Sequence, residues 1–184
     1  MTRVFSKTAL LTVTILMSLF VFSGCEKDDK ETNPEELITS VVIKFVDTSN
    51  AANTVTASFR DLDGEGGADP VQFDTIKLAA NKTYHATIVL LNETEEPADT
   101  ISNEVYDERN DHMFFFHGHD VNLVVNYRDV DDNNIPVGLL TRWITGAASS
   151  GEAHVTLKHQ PGVKNGTSTP GETDIEVEFP IRIQ

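Results

Sequence analysis

The chain has 184 residues, of which 39% are apolar, 23% charged and 8% aromatic, and its formal net charge is -15. That apolar share is low for a globular protein but too high for wholesale disorder. A surface this acidic repels phosphate backbones and anionic headgroups, which excludes nucleic acid as a partner.

Arg3 and Lys7 are the only charged residues before Cys25, and they precede an apolar run from Ala9 to Phe22 broken only by Thr12, Thr14 and Ser18. The run is shorter than the ~20 residues that a helix needs to cross a bilayer. A basic start, a short apolar stretch and small residues after it predict a secretory signal peptide over 1–24. Cys25 follows directly and is the sole cysteine. A lone cysteine cannot close an internal disulfide. Phe22-Ser23-Gly24-Cys25 resembles a bacterial lipobox, with Phe22 where an aliphatic residue is usual. The resemblance implies that Cys25 carries the lipid, palmitate included, and becomes the first residue of the mature chain. That chain holds 12 bases against 29 acids, since both N-terminal bases are removed.

Glu26 to Glu36 is charged, contains Pro34 and has nothing apolar to bury, so 25–37 reads as an acidic, disordered tether. Lys27-Asp28-Asp29 is similar to the Lys-acid-acid export signal of surface lipoproteins in Bacteroidota. That similarity implies lipid anchoring in the outer membrane with exposure at the cell surface.

From Ile38 onward the pattern is short alternating runs separated by turn residues, which predicts a sandwich or barrel. Val55, Ala57 and Phe59 alternate with polar neighbours, as do Val121, Leu123, Val125 and Tyr127, with Val124 breaking the polar side. Ile175, Val177, Phe179, Ile181 and Ile183 do the same at the C-terminus, where Pro180 predicts an edge strand. The expected strands are 39–47, 54–60, 71–79, 84–91, 112–117, 121–128, 138–145, 152–159 and 174–183. Ile101 and Val105, four apart behind Pro97 and Asp99, predict a short helix over about 99–109. Phe59-Arg60-Asp61-Leu62-Asp63 recurs as Tyr127-Arg128-Asp129-Val130-Asp131, each copy followed by a Pro-Val pair. His85-Ala86-Thr87-Ile88 likewise parallels His154-Val155-Thr156-Leu157. These echoes predict a duplicated four-strand unit, with halves at about 38–92 and 112–159 around the helix and a final strand at 174–183. The expected fold is all-β, an antiparallel sandwich of 8–9 strands in a single domain over 38–184.

The Arg-Asp-x-Asp loop, Leu90-Leu91-Asn92-Glu93-Thr94, Gly146-Ala147-Ala148 and Gly171-Glu172-Thr173-Asp174-Ile175 resemble a family of small acidic lipoproteins of the Bacteroidota type. Some of these carry a "type 1 periplasmic binding fold" label, which implies an α/β architecture that the strand pattern contradicts. The resemblance implies a compartment and no activity.

Two constellations could carry chemistry. Asp61, Asp63, Glu65 and Asp69 stand at relative positions 1, 3, 5 and 9 with Gly66 at 6, a spacing that can wrap Ca²⁺. Gln72 replaces the bidentate acid at position 12 and the flanks are strands, which excludes an EF-hand. Asp129 and Asp131 offer oxygens in the second copy. The same residues equally suit plain hairpin turns. His112, His117 and His119 form the second set. His117 and His119 share one side of an extended strand about 7 Å apart, a spacing that can chelate Zn²⁺ or Cu²⁺. His85, His154 and His159 could add ligands if the halves pack together. The competing interpretation is partly exposed strand and turn histidines.

No Gly-x-Ser-x-Gly, His-Glu-x-x-His or phosphate-loop motif occurs, and no cysteine is left as a nucleophile. Trp143 on a strand reads as core. Gln160 to Thr173, with two Pro and three Gly, reads as a loop that is functional or mobile. The expectation is a non-enzymatic, lipid-anchored surface lipoprotein acting as a binding or accessory module, beside an outer-membrane transporter. The alternatives are a transition-metal-handling lipoprotein using the histidines and a hydrolase with an unfamiliar acidic site.

Overall fold

Alternating apolar residues become buried faces throughout the computed structural model, which describes residues 37–64 and 67–184. The expected signal peptide, Cys25, nearly all of the tether and Glu65 lie outside the described residues. Strand β1 (Ser40–Asp47) turns Val41, Ile43 and Phe45 inward, and β2 (Thr54–Arg60) pairs with it in antiparallel register. After β3 (Gln72–Phe73) and β4 (Ile76–Leu78) comes β5 (Thr83–Leu91), which buries Tyr84, Ala86, Ile88 and Leu90. Helix α1 (Ile101–Asp107) packs against β5, with Ile101 and Val105 buried as their four-residue spacing requires. The chain continues through β6 (His112–His119), β7 (Leu123–Tyr127), β8 (Leu140–Thr145), β9 (Ser149–His159) and β10 (Glu172–Ile183).

The strands form two sheets, a six-stranded one in the order β3-β2-β1-β5-β8-β7 and a four-stranded one in the order β4-β10-β9-β6. All pairings are antiparallel except β10 with β4. The order β5-β1-β2-β3 is a Greek key, because β5 returns from the other sheet to lie beside β1. One hydrophobic core joins the sheets. Trp143 is 1% exposed and meets Phe45 edge-on at 5.0 Å within its own sheet and Phe116 of the facing sheet at 6.0 Å. At the other end Phe73 and Phe179 span the sandwich at 5.9 Å. Such edge contacts add about 0.5–1.5 kcal/mol each beyond simple burial. The fold is an all-β sandwich, not the α/β protein that the family label implies.

Three expectations change in detail. The run 71–79 divides into β3 and β4, which belong to opposite sheets. Asp74 causes the break: its carboxylate accepts the Ser58 amide at 2.9 Å, while its own N–H donates to the Ser58 carbonyl. Pro180 lies in an interior strand, since β10 has β9 on one side and β4 on the other. Gln184, of the same parity as Pro180, donates its N–H to Leu78 on β4. The missing N–H of Pro180 therefore faces the β4 side, where pairing begins only at Ile181. The similar halves also pair differently. First and last strands pair in both (β1 with β5, β6 with β9), but β2 joins β1 whereas β7 joins β8 in the opposite sheet from β6.

No helix among the described residues is long and apolar enough to cross a membrane.

Candidate functional site: the histidine face of the four-stranded sheet

Side chains alternate along a strand, so residues an odd number apart lie on opposite faces. His112 therefore falls on the side of Phe114 and Phe116, which turn toward the core, while His117 and His119 project outward and are exposed. The three histidines do not form one site. Each end of β6 instead gathers a cluster of its own.

At the first end His112 pairs in register with His159 of β9, and their rings stack at 4.5 Å with planes 6° apart. A register shift in β10 at Asp174 aims its carboxylate toward His112 Nε2, 3.7 Å away. His112 Nδ1 lies 3.3 Å from the Glu108 carbonyl oxygen, an acceptor only, so the neutral ring carries its proton there. Burial, with His159 adding to it, pushes the His112 pKa down to about 4. This is a neutral, enclosed histidine.

At the second end the register places His117 opposite His154 on β9, and His154 opposite Glu178 on β10. The next outward row places His119 opposite Glu152. The ring of His154 stands 6.0 Å from that of His117 and 6.3 Å from that of His119. Its Nε2 is 3.5 Å from Glu152 Oε2, and its Nδ1 is 3.3 Å from Glu178 Oε1. A shallow groove of about 480 Å³ opens beside His117 and His154, bordered by Phe115, Thr156, Lys158, Glu176 and Ser168. Glu152, His154 and Glu178 bring donor atoms within 4.8 Å of one another, and so do Glu108, His112 and His159. His85 is not part of either cluster, for it stands on β5 of the other sheet, opposite Arg142.

The acidic loops do other work. Asp61 accepts the Gly64 amide at 3.2 Å, and Asp63 accepts the Ala68 amide at 2.9 Å. The Ala68 amide is the main reason why the Asp63 carboxyl sits below its ordinary pKa. Asp69 is exposed. In the second copy both oxygens of Asp129 are taken, by the amides of Gly138 and Leu140 at 2.8 and 2.9 Å. Asp131 Oδ1 accepts the amides of Asn133 and Ile135, and Oδ2 lies 2.9 Å from Lys164 Nζ. Burial raises the Asp131 pKa, but Lys164 and the two amides outweigh it and hold the carboxyl below its ordinary value. Asp129 and Asp131 are thus turn and ion-pair residues, with little oxygen left for a calcium ion.

Lys164 also donates to the Arg109 carbonyl at 2.6 Å, and Gln160 Nε2 donates to the Thr167 and Pro170 carbonyls at 2.8 Å each. The segment between β9 and β10 is consequently pinned to the rest of the domain. Sequence reasoning left Glu152 and Glu178 out of any site. Their signal was parity: Glu152 shares a face with His154, and β10 places an acid at every outward position from Glu176 to Glu178.

No family model, no curated protein and no solved structure matches the chain.

Proposed function

We propose that the protein is a non-enzymatic, lipid-anchored surface module of the Bacteroidota lipoprotein type that binds a ligand on the outer face of its four-stranded sheet, as an accessory to an outer-membrane transporter. The observation that carries this reading is the concentration of His117, His119, Glu152, His154 and Glu178 on one open face beside the groove. The opposite face of the same sheet supplies the core, so the binding surface and the stabilising surface are separate. Anchoring at Cys25 would hold that face outside the membrane at the end of an acidic tether.

The test is fractionation of cells that express the full precursor. The wild-type protein should partition into detergent with a blocked N-terminus, and protease added to intact cells should remove it. Cys25→Ser should leave the precursor uncleaved or release soluble protein. A Cys25→Ser variant processed and membrane-bound like the wild type overturns the anchoring. Turnover of an ester, glycoside or peptide by the purified chain overturns the non-enzymatic part.

A further inference from the structure

We propose that this face holds a divalent transition-metal ion, with His117, His119, Glu152 and His154 as ligands and Glu178 as the partner that orients His154. The inference rests on the binding-module reading and names its ligand. The four ligands are the corners of a two-by-two block: two neighbours on β6, two on β9, all pointing outward in adjacent register rows. Residues two apart on a strand are separated by about 7 Å, and cross-strand partners by about 5 Å. Side chains as long as His and Glu can close that square over one ion. Two imidazoles on a tetrahedral zinc, at Zn–N of about 2 Å, hold their ring centres roughly 5–6 Å apart. The donor atoms that already converge are those of Glu152, His154 and Glu178; the rings of His117 and His119, centred 6.0 and 6.3 Å from that of His154, must rotate toward it to complete the shell.

The two nitrogens of His154 are placed unequally. Nδ1 faces Glu178 at 3.3 Å, the arrangement by which a carboxylate fixes the ring of a metal-bound histidine. Nε2 is enclosed and makes no hydrogen bond among the described residues, with Glu152 Oε2 held off at 3.5 Å. A nitrogen lone pair and a carboxylate oxygen at that separation outline one edge of a coordination tetrahedron. His119 repeats the device, with Nδ1 3.6 Å from Asp120 Oδ2 and its other nitrogen left for the ion. Imidazole with carboxylate, and no thiolate, selects Zn²⁺ or Cu²⁺ over Cu(I), and the three imidazoles select against Ca²⁺ and Mg²⁺. The net charge of -15 raises the local concentration of any cation.

The experiment is calorimetric titration of the full mature chain, free of any affinity tag, with ZnCl2 at pH 7.5. The expected result is one ion per chain at micromolar affinity or tighter. His154→Ala should abolish binding, and Glu178→Gln should weaken it about tenfold while preserving the stoichiometry. His159→Ala, at the far end of the same strand pair, should leave it unchanged. Millimolar affinity in the wild type overturns the site, as does His154→Ala binding normally or His159→Ala abolishing binding. If circular dichroism shows His154→Ala unfolded, His119→Ala is the substitute, because that side chain is 60% exposed. Zinc-edge absorption of the loaded protein should show nitrogen and oxygen donors with imidazole scattering, and a shell of water oxygens alone overturns the assignment. Anchoring and cleavage by protease at the cell surface do not depend on zinc, so this site and the lipoprotein reading fail separately.

Discussion

His112 and His159 stack face to face across β6 and β9, and only one of the two is cut off from water: His112 is 1% exposed, whereas His159 keeps partial access. A proton on His112 would be desolvated and would stand against a second imidazole, so the folded protein holds this ring neutral.

The pH dependence of stability follows from that. The folded pKa of about 4 lies below the ordinary value of 6.5, so the unfolded chain binds the proton more readily. Stability is complete above pH 6.5 and is lost as pH falls from there toward 4, by about 3 kcal/mol from this residue. Urea denaturation at pH 7 and pH 4.5 should show the loss, and His112→Gln should reduce it. An unchanged pH slope in His112→Gln would assign the effect to other groups.

Asp131 and Lys164 form an ion pair with both side chains nearly withdrawn from solvent, at 0% and 2% exposure. Removing one partner strands the other charge, so Asp131→Asn and Lys164→Met should each cost about 3–5 kcal/mol. The double variant strands neither and should cost clearly less than the sum. Denaturant midpoints for the four proteins measure this directly. Strict additivity would mean that the two groups do not feel each other.

Asp129 should matter for stability with or without calcium. Asp129→Ala leaves the amides of Gly138 and Leu140 without their acceptor, a loss of about 1–3 kcal/mol. Millimolar Ca²⁺ should leave the wild-type melting curve unmoved. A rise of several degrees that Asp61→Ala with Asp63→Ala abolishes would instead make the first loop a calcium turn.

Gly151 permits a close approach between strand ends. A Cβ there would collide with the His119 carbonyl oxygen and sit 2.9 Å from the Asp120 carbonyl carbon. Backbone cannot yield as a side chain can, so Gly151→Ala should cost about 1–3 kcal/mol and lower the melting temperature by several degrees.

Periodicity within a segment was legible and pairing between segments was not. The alternation from Ile175 to Ile183 gives β10 almost to its ends, and the four-residue spacing of Ile101 and Val105 gives the helix. The division of 71–79 was hidden, because it depends on Asp74 finding an amide on β2. His117 and His119 could be placed on one face by parity alone, whereas His154 joins them only because β9 becomes the neighbour of β6. The two Arg-Asp-x-Asp copies look alike in sequence. They differ in what reaches them: Lys164 comes from the far side of β9 to neutralise Asp131, and no such cation contacts Asp61 or Asp63 in the described structure.

Lys164 is the only basic residue between Gln160 and Thr173. A protease that cuts after lysine or arginine must draw that side chain into its own specificity pocket, and here the side chain is committed to Asp131 and the Arg109 carbonyl. The segment that joins β9 to β10 is therefore a poor substrate for trypsin-like enzymes while those two contacts hold. Scission at Lys164 would report release of that side chain from Asp131.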